Sequence, residues 1–111
     1  MKRRVAITGI GMVSPVGNDV ETTWSALLAG RSGAAPISLF DASGFSTRIA
    51  AEVKGFDEGV ITAERRLLKF ANRSHKFALA AAEQAIRDAL QKIADDGLVA
   101  EAPQVIRIER E

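Results

Sequence analysis

The feature that most limits what this chain can become is one long, unbroken helical stretch in its second half. From Ser74 to about Ala94 there is neither glycine nor proline, and alanine occupies positions 78, 80, 81, 82, 85 and 89. Alanine has the highest helix propensity, and its single methyl lets a neighbouring backbone approach closely. Leu79, Ala82, Ile86, Leu90 and Ile93 recur at spacings of three and four, which predicts an apolar face. Glu83–Arg87 and Asp88–Lys92 form favourably oriented i, i+4 pairs on the outside. Gly97 is placed to end the helix.

The rest of the chain is shorter-ranged and frequently interrupted. Arg4 to Ile10 reads as a strand with both faces apolar or small, as in a strand covered on both sides. Gly9 and Gly11 allow a tight exit, and Pro15 with Gly17 marks an irregular loop. Asn18 is the expected N-cap of a helix over 19–29, with Glu21 three residues on and Gly30 at its end. Val20, Trp24, Leu27 and Leu28 build its apolar face. Residues 31–46 read as loop, tacked to the core by Phe40 and Phe45. Arg48 to Lys54 alternates as a strand: Ile49, Ala51 and Val53 lie on one side, with a wetter face opposite. Residues 55–59 form a turn. Thr62 can cap a short helix to about Ala71, and Asn72 or Ser74 starts the long one. The tail from Ala102 offers one further strand candidate, Val105 to Ile108.

Composition removes several classes of function. With 15 Lys and Arg against 14 Asp and Glu among 111 residues, the net charge is +1, too small for a nucleic-acid binder. Hydrophobic residues make up 47%, so the chain is not disordered. There is no cysteine and one histidine, His75, so the chain supplies neither a thiolate nucleophile nor a His-based triad or multi-histidine metal site. No metal site and no cofactor are expected. No apolar run approaches the roughly 20 residues that span a membrane. The basic start followed by Val5 to Val13 lacks a small-x-small cleavage pattern, and a cytoplasmic location is expected.

Gly9-Ile10-Gly11 after a strand invites a dinucleotide reading, but Ser14 and Pro15 stand where a third glycine and a helix start are required. A Walker loop is absent. Arg65, Arg66, Lys69 and Arg73 are the one local concentration of charge, and helical spacing keeps them to one side. Such a group is either a solvated face or a docking patch for an acidic partner. His75 reads as a helix-junction residue. The formal sequon Asn72-Arg73-Ser74 is a chance match, and Asp57–Glu58 and Asp95–Asp96 are turn chemistry at element ends.

The run Arg3-Arg4-Val5-Ala6-Ile7-Thr8-Gly9-Ile10-Gly11-Met12-Val13-Ser14-Pro15-Val16-Gly17-Asn18 resembles the opening of the β-ketoacyl-[acyl carrier protein] synthases, type II. The similarity continues through Trp24 to Gly33, Phe40-Asp41, Ala51-Glu52-Val53 and Phe77 to Ala82. It implies an α/β fold: the N-terminal, incomplete part of a thiolase-like layered α/β/α domain, ordered strand-loop-helix-strand-helix-helix. Residues 1–98 form the family segment and 99–111 a divergent or truncated tail. The resemblance further implies fatty-acid elongation, in which an acyl chain on a cysteine is joined to decarboxylated malonyl-carrier protein. That chemistry uses two histidines and no metal or organic cofactor, in a homodimer.

None of the three catalytic residues can be placed on this chain, so it is expected to be inactive alone. What carries over is the region of a basic helix that meets acyl carrier protein, occupied here by Arg65, Arg66, Lys69 and Arg73. Leu67, Leu68 and Phe70 interrupt it where the family pattern is more polar. Two alternatives stand beside this reading: a non-catalytic carrier-docking or dimerisation module, and the N-terminal piece of a polyketide ketosynthase or chain-length factor. Exposed apolar area, and with it self-association or marginal stability, is expected of the isolated chain.

Overall fold

The computed structural model describes residues 3–62 and 65–96. Within them lie helix α1 (Val20–Leu28), strands β1 (Ala34–Pro36) and β2 (Ile49–Ala51), a 3-10 turn at Glu58–Val60, helix α2 (Arg65–Leu68) and helix α3 (Arg73–Asp95). The chain is mixed α/β with one small two-stranded sheet among the described residues, not a full layer of strands. The candidate strand Val105 to Ile108, the stop at Gly97 and the tail 99–111 lie outside the described residues.

α3 organises everything else, and only part of its expected apolar face is covered. Leu90 and Ile93 are half-covered but Leu79, Ala82 and Ile86 are exposed, whereas Ala80 is 3% exposed and Ala81, Gln84, Ala85, Asp88 and Ala89 are half-covered. The small-residue face is the packed one because the chain at Gly9 to Met12 lies directly on the helix backbone. A Cβ on Gly11 would collide with the Ala81 carbonyl and come within 2.8 Å of the Ala85 amide. One on Gly9 would come within 2.8 Å of the Ala89 amide. These glycines therefore serve close packing as much as chain reversal.

Polar groups beside this contact satisfy the backbone laid across it. Ile10 N–H donates to the Asp88 carboxylate at 3.0 Å, and Met12 N–H donates to Gln84 Oε1 at 2.9 Å. The Gln84 amide in turn donates to the Asn18 carbonyl at 2.6 Å. The expected strand Arg4 to Ile10 has no ladder partner among the described residues, and Val5 and Ile7 are 91% and 84% exposed. A strand needs a neighbour to form its ladder, and here side chains of α3 take that place for residues 10 and 12.

Ser14 to Gly17 then closes a tight turn. Ser14 N–H donates to the Gly17 carbonyl at 2.8 Å, and the Ser14 and Thr23 hydroxyls meet at 2.9 Å. Thr23 is buried, and its hydroxyl also donates to the Gly17 carbonyl. The N-cap of α1 is Asp19, whose carboxylate accepts from Thr22 N–H at 2.7 Å. Asn18 does not cap, because its amide is committed to the carbonyls of Lys54 (2.9 Å) and Gly55 (3.1 Å). At the far end Gly30 takes φ +65°, donating to Leu27, while Arg31 N–H reaches Ala26. That is a Schellman stop, as the glycine predicted.

The segment 31–46 is not all loop. β1 pairs antiparallel with β2, Ala34 opposite Ala51 and Pro36 opposite Ile49. A three-residue strand containing proline carries no alternation to read, and proline is tolerated there because the sheet has only edges. Phe40 and Phe45 do not anchor this region to a core: they pack edge to face at 5.9 Å and remain exposed, while Ala42 is buried. On β2 the expected faces are reversed, with Ile49 and Ala51 exposed and Ala50 half-covered. Glu52 holds the turn beyond β1 by accepting from the Ser38 hydroxyl at 2.8 Å and from the Ser38 and Leu39 amides, which keeps its carboxyl below the usual range.

Two outcomes follow from the α3 contact. Gly11→Ala is expected to lower stability by about 1–3 kcal/mol or more, the range for forced overpacking. Gly44→Ala, whose Cβ would enter open space, is expected to be near neutral in the same urea titration. The Asp88 carboxyl is held below its ordinary value of 3.8 by the Lys92 ammonium and then by Ile10 N–H. Its folded pKa being lowered, its contribution is complete above that ordinary value and is lost as pH falls below it. Urea midpoints measured from about pH 5 to about pH 3 should therefore fall more steeply for the native chain than for Asp88→Asn.

Candidate functional site

The basic residues lie where the chain turns from the sheet into α3. Arg65 and Arg66 sit on α2, Lys69 in the turn after it, and Arg73 is the first residue of α3. They do not share one continuous helix face, because α2 stops at Leu68 and α3 starts afresh at Arg73. The break is encoded by Asn72, whose side chain accepts from His75 N–H at 2.9 Å while His75 Nδ1 accepts from Asn72 N–H at 3.4 Å. His75 is thus a helix-junction residue, as its position suggested.

Arg73 differs from the other three. Its guanidinium donates to the Val53 carbonyl at 2.8 Å and lies 4.9 Å from the centroid of the Phe77 ring. Phe77 packs edge to face on Phe56 at 4.9 Å. Arg73 is therefore engaged with the chain leaving β2, and a cation held over an aromatic face is spent on local structure. Arg65, Arg66 and Lys69 are all exposed.

Lys76 and Glu58 belong to the same neighbourhood; the sequence does not single out Lys76, and marks Glu58 only as turn chemistry, which its place in the 3-10 turn bears out. Lys76 Nζ meets Glu58 Oε1 at 2.6 Å. Together with Arg65 and Lys69 they line an open cleft that also includes Ile61 and Leu68. The signal for Lys76 was its spacing, three residues beyond Arg73 and seven beyond Lys69. Nothing in sequence ties Glu58, 18 residues away, to it.

A second cleft lies on the other side of the 3-10 turn, bounded by Asn18, Asp57, Glu83, Gln84 and Arg87. Arg87 and Glu83 form the expected helical pair at 3.7 Å, and Lys92 and Asp88 theirs at 2.8 Å. Among the described residues no three of His, Asp and Glu come together as a metal-binding group. No helix among the described residues is long and apolar enough to cross a membrane.

Residues 2–98 match the family described as "Beta-ketoacyl synthase, N-terminal domain". The chain belongs to the β-ketoacyl synthase family. It is 50% identical over 87 residues to 3-oxoacyl-[acyl-carrier-protein] synthase 2 of Coxiella burnetii, covering 78% of this chain and 21% of that protein. It is 64% identical over 56 residues to the synthase of the same name from Vibrio cholerae, covering 50% of this chain and 14% of that protein. Among solved structures, the ishigamide ketosynthase/chain length factor superposes with a TM-score of 0.72 at 42% identity, over 80% of this chain and 22% of that one. The chain thus spans about a fifth of the length of the β-ketoacyl synthases it matches over most of its own length.

Proposed function

We propose that these residues are the N-terminal scaffold of a 3-oxoacyl-[acyl-carrier-protein] synthase of the type II class, and that they perform no condensation on their own. The reaction class needs a thiolate to carry the acyl group as a thioester. It also needs donors that stabilise the enolate left when the malonyl group loses carbon dioxide, and the oxyanion formed when that enolate attacks the thioester carbonyl. The observation that carries the proposal is the composition of the matched segment. A chain that matches the family domain over residues 2–98 holds no cysteine, and its one histidine is engaged in the cap of α3.

In this reading the remaining four-fifths of a family protein supply the nucleophile, both histidines and the strands that complete the thiolase-like α/β/α layers. Val5 and Ile7 then join a sheet, and the exposed side of α3 at Leu79 and Ile86 is covered. The assay is decarboxylation of malonyl-carrier protein, and condensation with an acyl-carrier protein, by the purified 111-residue chain. The expected rate is that of a matched blank, and turnover above it overturns the proposal.

The contribution assigned to this chain within such an enzyme is contact with acyl carrier protein through Arg65, Arg66 and Lys69, with Arg73 supporting their position. Support comes from the exposure of these cations and from the acidic character of carrier proteins implied by the family resemblance. Arg66→Glu is expected to weaken binding of acyl carrier protein to the chain roughly three- to tenfold at low salt, the difference shrinking as salt is added. Binding that is indifferent to this reversal would return α2 to a solvated face. The similarity to a ketosynthase/chain length factor favours a second reading, in which the same scaffold serves a polyketide enzyme.

A further inference from the structure

The cleft between the 3-10 turn and the two helices brings three cations, Arg65, Lys69 and Lys76, together with one carboxylate, Glu58. The ion pair at its edge is unequal. The Lys76 side chain is 19% exposed and projects from the longest helix of the protein, while that of Glu58 is 57% exposed and projects from a three-residue turn. The cation is therefore fixed by the fold, and the anion is the member that water and other solutes reach. An exposed or half-exposed pair of this kind is worth only about a two- to fivefold shift in an equilibrium, so exchanging its anion costs little.

Resting on the reading of α2 as a docking surface for an acidic carrier protein, we infer that Glu58 is an internal stand-in for the partner's carboxylate. In the free chain it occupies Lys76; in the complex an acidic side chain of the partner takes its place. That carboxylate gains the Lys76 ammonium and the nearby charges of Arg65 and Lys69, and Glu58 swings out into water. One ion pair replaces another at Lys76, so the exchange conserves that contact while adding the other two. Glu58 thereby sets a threshold: only a partner with several acidic groups on one surface displaces it, which is a means of rejecting weakly acidic proteins.

The test is a double-mutant cycle on the full 111-residue chain, with binding of acyl carrier protein measured at two salt concentrations. Glu58→Gln is expected to tighten binding about two- to fivefold, and Lys76→Gln to weaken it by a similar factor. In the Lys76→Gln background, adding Glu58→Gln should tighten binding no more than Asp57→Asn does. Asp57→Asn is the control for simple loss of negative charge. It removes the same charge one residue away, from a carboxylate that accepts from Gly59 N–H at 2.8 Å and does not line this cleft. It should tighten binding less than Glu58→Gln does. Equal tightening with and without Lys76, or no tightening by Glu58→Gln, overturns the inference.

Inorganic phosphate, titrated while the Lys76 side-chain resonances are followed by NMR, separates this inference from the docking reading. Carrier protein that fails to bind while phosphate binds, and binds more tightly to Glu58→Gln, defeats the docking reading and leaves the role of Glu58 standing. Phosphate affinity at Lys76 that is indifferent to Glu58→Gln defeats the stand-in itself.

Discussion

The close approach of the Gly9–Gly11 backbone to α3 is the contact on which the remaining structure depends. Two residues of extended chain advance about 6.6–6.8 Å, and four residues of helix rise about 6.0 Å. The two repeats nearly match, so Gly9 and Gly11 meet successive turns at Ala89–Ala85 and Ala85–Ala81 while the chain runs opposite to the helix. The intervening amides of Ile10 and Met12 then face Asp88 and Gln84, also one turn apart. Close packing and polar satisfaction come from the same register. A methyl at either glycine would separate the surfaces and lengthen both hydrogen bonds.

From that line the fold spreads outward through a few polar ties. Gln84 joins Met12 to Asn18, Asn18 joins the start of α1 to Lys54 and Gly55 after β2, and Arg73 with Phe77 holds Val53 and Phe56 to the first turn of α3. Each tie connects segments far apart in sequence, through the half-covered Gln84, Asn18 and Phe77 and the exposed Arg73. The buried residues are small: Ala26, Ala42, Ala80 and Thr23, with Ile61 the one large buried side chain among the described residues. Segments brought together across small side chains depend on shape and hydrogen bonding more than on buried apolar area.

What was legible in the sequence was the local chemistry. α3 and its two ion pairs, the left-handed stop at Gly30 and the neighbourhood of the cations could be read from residue type and spacing, while the start of α3 was narrowed only to Asn72 or Ser74. What was not legible depended on partners distant in sequence. Periodicity pointed to Leu79, Ala82, Ile86, Leu90 and Ile93 as the covered face; Leu90 and Ile93 are half-covered, but at Leu79, Ala82 and Ile86 the approach of Gly9 and Gly11 selects the neighbouring alanines instead. Asn18 and Asp19 are both good caps on paper, and only the demand of the Lys54 and Gly55 carbonyls decides between them. The charge cluster read as one face was divided by a helix break, and the Glu58 that meets Lys76 carries no mark of its role in the sequence.

The arrangement of residues 4–8 carries a consequence for how the molecule behaves as a material. Their side chains suit a sheet interior, yet they are exposed and the described residues offer them no neighbouring strand, while Gly9 and Gly11 lie against α3. A β-prone ribbon in that condition is a template, and whichever backbone first zips along it inherits the register that Ile10 and Met12 have already set. A backbone that pairs with residues 4–8 therefore meets a chain whose direction is already defined by the contacts of Gly9 to Met12 with the helix.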